Sequence, residues 1–116
     1  VLTAANLPPA AAKFPAAAAP RFDLYAPIHK AIRLFMTDTL VRVGCMDSAD
    51  LAETQAALGQ LQGLLALLRS HVEHENHFVH PAIEARRAGG SARIAEEHEE
   101  HLASIDALEC EANAMT

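Results

Sequence analysis

Residues 58–81 read LGQLQGLLALLRSHVEHENHFVHP. Leu58, Leu61, Leu64, Leu65, Leu68 and Val72 recur at steps of three and four, the spacing of one face of an α-helix. The stripe reaches back to Leu51 and on through Val79 to Ile83, which predicts one long helix over 49–86. Pro81 has no N–H to donate and is expected to kink it. Four histidines, His71, His74, His77 and His80, crowd into its last third beside Glu73 and Glu75.

The same period returns on either side. Upstream, Leu24, Tyr25, Ile28, Ile32, Phe35, Met36, Leu40 and Val43 mark a first helix that begins near Asp23 or Pro27 and stops at Gly44. Asp47 or Ser48 can cap the helix that follows. Downstream, Arg86 and Arg87 suit a helix C-terminus, and Gly89 and Gly90 break it. Ser91 then caps a third helix, carried by Ile94, His98, Leu102, Ile105 and Leu108 to about Ala114. No strand alternation interrupts this pattern. The reading is an all-α, up-down helical bundle with three long helices visible.

Composition agrees. The chain has 116 residues, enough for one domain, and is 51% hydrophobic but only 4% aromatic. Its apolar content is mostly Ala and Leu, strong helix formers. Residues 1–20 carry Pro8, Pro9, Pro15 and Pro20 and read as an Ala/Pro-rich tail, leaving residues 21–116 as the bundle domain. The net charge of −6 and the absence of a Lys/Arg run argue against nucleic acid and anionic membranes as partners. No apolar run reaches the ~18–20 residues that a membrane span needs. The tail lacks the basic start and apolar block of a signal peptide. Cys45 and Cys110 form no CxxC pair and read as free thiols of a reducing, cytoplasmic compartment.

Helical phase sorts the histidines. His71 and Glu75 fall on the flank of the core stripe one turn apart, and His74 lies further out. His77 and His80 are expected on the solvent side, as members of a solvated face. On the third helix His98 and His101 point inward while Asp106 points away, and on the first helix His29 lies on the core-side edge. Three helices thus each send an imidazole toward the apolar seam, and one adds a carboxylate. A buried carboxylate without a partner is costly or takes up a proton, and a cation removes that problem. His-x-x-x-Glu on a helix is the type of ligand set found in carboxylate-bridged metal pairs of helical bundles. Nitrogen and oxygen donors without thiolate suit iron, manganese or zinc. Taken alone, His71 with Glu75 reads better as an ordinary surface i,i+4 pair; joined with inward His29 and His98, the metal reading wins.

At these residues the chain resembles the hemerythrin-like (HHE cation-binding) family. The matching stretches are PIHKAIRLF (27–35), HVEHENHFVHPAIEARR (71–87) and AEEHEEHLASIDALE (95–109), within residues 22–115. The resemblance implies a four-helix bundle around a non-haem di-iron centre, with zinc or manganese as alternatives. It assigns His29 to one iron, His71 as a ligand, Glu75 as a bridge and His98 as the helix-3 ligand, with His101 a second candidate. It implies O₂ or another small diatomic as ligand, and O₂ binding, oxygen or redox sensing, or iron handling as task. The family has a fourth helix bearing a further His and carboxylate. Here the expectation is that the chain is a fragment with that helix missing, that another copy lends it in a homo-oligomer completing the bundle, or that the site is degenerate. The alternative is a helical dimerisation module with a degenerate or zinc-type site and a pH-sensitive histidine face. No Ser/His/Asp set, phosphate-binding loop or dinucleotide fingerprint is present, and carboxylates are few, which disfavours an enzyme.

Overall fold

A computed structural model of the chain describes residues 21, 23 and 25–115. The Ala/Pro-rich tail expected at 1–20 lies outside the described residues. Helix α1 spans Tyr25–Cys45, α2 Leu51–His74, α3 His80–Arg86 and α4 Ala92–Ala114, and a π-helical turn, Glu75–Val79, joins α2 to α3. There is no strand among the described residues. Helix α2, the π turn and α3 run on without a break, so the chain forms three rods. None of its described helices is long and apolar enough to cross a membrane.

The ends of the helices are set by local chemistry. Asp23 Oδ1 accepts from the N–H groups of Tyr25 and Ala26 at 2.9 and 3.1 Å, satisfying donors that α1 cannot use internally. The cap of α2 is Asp50, not Asp47 or Ser48: its carboxylate accepts from Glu53 N at 3.0 Å, and its backbone is extended. Asp47 shapes the preceding turn instead, accepting from Ala49 N at 2.9 Å. Ser91 also differs from expectation. It stands at the N-cap position of α4 but makes no capping bond with its side chain. Its hydroxyl and its N–H both donate to Glu84, at 2.6 and 3.0 Å, and Gly89 N adds a third bond at 2.7 Å. One carboxylate therefore fastens the α3–α4 turn. These donors, Ser91's hydroxyl first, hold the Glu84 carboxyl below its ordinary range. Gly89 takes φ 77°, the left-handed region, and a Cβ on Gly90 would stand 2.8 Å from Ile83 Cγ2.

Helix α2 is the central rod, packed against α1 on one side and α4 on the other. The buried apolar residues are Ile32 of α1, Ala57, Leu58, Leu64, Leu65 and Val72 of α2, and Ile105 and Ala112 of α4. Polar ties fix the register. Gln60 donates to Asp38 and Thr39 and accepts from Arg42, which joins α2 to α1. Arg69 donates to Asp106 and Glu109, which joins α2 to α4 and accounts for the outward Asp106. The rest of the apolar stripes is not covered. Met36, Leu40 and Leu108 remain exposed and border an open cleft between α1 and α4, floored by α2. Cys45 and Cys110 are free and exposed.

Candidate metal centre

Pro81 decides the shape of the centre. In an unbroken α-helix its ring would press on the carbonyl of His77, and that carbonyl would lack a donor. The chain widens the preceding turn: the N–H of His80 bonds to Glu75 O, five residues back, instead of four. A π turn holds one extra residue, so everything beyond it lags by one residue's rotation. Along a regular helix His80 would stand about 80° from Val72, off the core stripe; the lag of about 100° brings it to within about 20°. His80 is accordingly buried, 6% exposed, and stacks on His98 with ring centroids 4.8 Å apart. The expectation that His80 belongs to the solvent face is therefore corrected. His74 and His77, which precede the shift or lie inside it, are exposed as the spacing predicts.

Glu75 is the first residue of the π turn and is 6% exposed. Its two oxygens look in different directions. Oε1 lies 3.0 Å from His71 Nε2 and 3.5 Å from His29 Nε2, and those two nitrogens are 3.1 Å apart. Oε2 lies 3.1 Å from His98 Nε2. Two groups of potential donors result, each with its atoms within 4.8 Å of one another: His29, His71 and Glu75, and Glu75, His80 and His98. Every rod contributes, and Glu75 belongs to both groups. His101 belongs to neither: it is exposed, three residues past His98, and lines the rim of the cleft. The cleft, about 390 Å³, has His29, His71, Glu75 and His98 at one end and Met36, Leu65 and Leu108 along its walls.

With its imidazoles neutral and Glu75 ionised, the proton count at this centre does not close. His29 Nδ1 donates to the Tyr25 carbonyl at 2.6 Å, and His98 Nδ1 donates to Asn76 Oδ1 at 2.7 Å. A neutral imidazole carries one N–H, so in neutral His29 and His98 the Nε2 atom is a bare lone pair. His98 Nε2 then faces Glu75 Oε2 with no proton between two acceptors. His29 Nε2 faces Glu75 Oε1 in the same way, relieved only by whatever His71 donates. Filling the gaps with protons meets resistance. Burial pushes His98 below its ordinary value, opposed by Glu75 and reinforced by His80, His101 and His71. Burial also lowers His71, against the pull of Glu75 and together with His29 and His74. His80 Nε2 is buried and has no hydrogen-bond partner among the described residues. Converging lone pairs, a buried carboxylate and an orphaned imidazole nitrogen fit a cation better than they fit one another. Tyr25 stacks on His29 at 5.6 Å, and burial, then Glu75, raises its phenol above its ordinary value.

Of the five residues expected from sequence, His29, His71, Glu75 and His98 thus stand together, and His101 stands apart. Sequence reasoning missed His80 and Asn76; the signal for His80 was the proline directly after it, inside an otherwise regular helix. Comparison of the chain with protein-family models, with curated proteins and with solved structures finds no match.

Proposed function

We propose that the chain is a metal-binding helical domain holding a carboxylate-bridged pair of non-haem iron ions, as its resemblance to the hemerythrin-like family implies. His29, His71 and Glu75 Oε1 would hold one ion, and His80, His98 and Glu75 Oε2 the other. The observation that carries this reading is the 3.1 Å approach of His98 Nε2 to Glu75 Oε2 while His98 Nδ1 is engaged by Asn76. Two acceptors at that distance need a positive charge between or beside them. Nitrogen and oxygen donors without thiolate suit iron, manganese or zinc, and the family resemblance puts iron first. Three protein donors at each position leave coordination room on the cleft side. An iron pair held there would supply electron exchange with O₂ or another small diatomic, so oxygen binding, oxygen or redox sensing, or iron handling is the proposed task.

The chain's own residues have two tasks. Glu75 would offer Oε1 to the His29/His71 side and Oε2 to the His98 side. Leu65, Val72 and Ile105 give the cleft an apolar lining next to the donor groups. A second copy of this chain is the proposed cover of the exposed apolar border. Elemental analysis of protein produced with iron is expected to find about two metal ions per chain, and Glu75→Gln is expected to remove both. A Glu75→Gln protein that keeps two ions would sink the bridged reading.

A further inference from the structure

Asn76 belongs to neither donor group, yet its side chain makes a 2.7 Å contact with the centre's buried imidazole, His98. The two halves of the centre are oriented differently. On one side His29 Nδ1 is held by a main-chain carbonyl, that of Tyr25, at 2.6 Å. On the other side His98 Nδ1 is held by a side-chain amide that the π turn carries inward beside Glu75. An amide oxygen only accepts, so it keeps the proton of His98 on Nδ1 and leaves Nε2 free to bind. Without that acceptor the proton is free to move to Nε2, which stands 3.1 Å from Glu75 Oε2. An Nε2–H···Oε2 bond would then tie up both the imidazole and the second carboxylate oxygen. The centre would quench its own second position.

We propose that Asn76 is a positioning residue that locks His98 in the Nδ1–H tautomer and thereby makes the second position of the pair able to bind an ion. This rests on the two-position reading above. The test uses the full chain, zinc as the probe, and Asn76→Leu and Asn76→Asp. Zinc is titrated calorimetrically, and the ring tautomer of His98 is read by nitrogen-15 NMR in metal-free protein. Wild type is expected to take two ions and to show Nδ1–H. Asn76→Leu is expected to keep one ion at wild-type affinity, to bind the second about 10–100-fold more weakly, and to show Nε2–H. Asn76→Asp restores the acceptor and is expected to restore the second ion. The inference is overturned if Asn76→Leu binds both ions like wild type, if it loses both together with its helicity, or if Asn76→Asp does not rescue. Wild type that binds no zinc sinks the two-position reading. The tautomer then still tests the lock, which a wild-type His98 protonated on Nε2 overturns.

Discussion

Replacing Pro81 by Ala returns the missing N–H and removes the ring that widens the turn. The helix is then expected to close to four-residue bonding throughout, advancing everything beyond Val79 by about 100°. At a side-chain radius of about 5 Å, that rotation carries the His80 ring roughly 8 Å around the helix. The donors of its group lie within 4.8 Å of one another, so the second position is left with Glu75 and His98 alone. Metal titration is expected to fall from two ions to one, the His29, His71 and Glu75 position surviving. His80→Leu serves as the comparator, since it removes the ligand and leaves the π turn. It should show the same loss of one ion. In metal-free protein it should also raise stability, because a buried unpaired group such as His80 Nε2 is destabilising by about 1–3 kcal/mol. Each kcal/mol corresponds to about 4–8 °C in Tm for a domain of this size, well within the reach of calorimetry. A Pro81→Ala protein that still binds two ions with unchanged affinity would refute the claim that the proline sets the phase of His80.

Two further predictions concern the frame around the centre. Glu84 has a folded-state pKa below its ordinary value, so its contribution to stability is complete above the usual carboxylate range and is lost as pH falls through the lowered value. Glu84→Gln is expected to lower Tm at pH 7 and to flatten its fall as pH drops through and below the ordinary carboxylate range, and an unchanged acid limb in thermal melts would count against the three-donor lock. Leu108 is 44% exposed beside Met36 at 45%; Leu108→Asp is expected to convert a self-associated wild type to monomer with unchanged helicity, and a wild type already monomeric by light scattering would remove the second copy as the cover.

How far the sequence could be read depended on whether the helical period held. It held over α1, α2 and α4, so the three rods and the inward placement of His29, His71, Glu75 and His98 follow from steps of three and four. It failed across five residues, where one proline changed the bonding pattern, and His80 went with it. His101 was placed inward because α4 carries few large apolar residues to define its face, and a ring three positions on from His98 turns about 60° away. The α2 cap was misread although Asp50 and Glu53 have capping-box spacing, because Asp47 and Ser48 stand nearer the glycine stop. The role of Ser91 depends on Glu84, seven residues earlier, a pairing that becomes visible only when the turn is folded.

The outer rods α1 and α4 each lend an imidazole to a carboxylate borne by the middle one. An ion seated there is consequently a tie across the whole molecule, not only a passenger on one helix. By mass action, free metal at a hundred times its dissociation constant adds about 2.7 kcal/mol to the folded state for each site filled. The melting temperature of this domain would then rise and fall with the concentration of free metal around it.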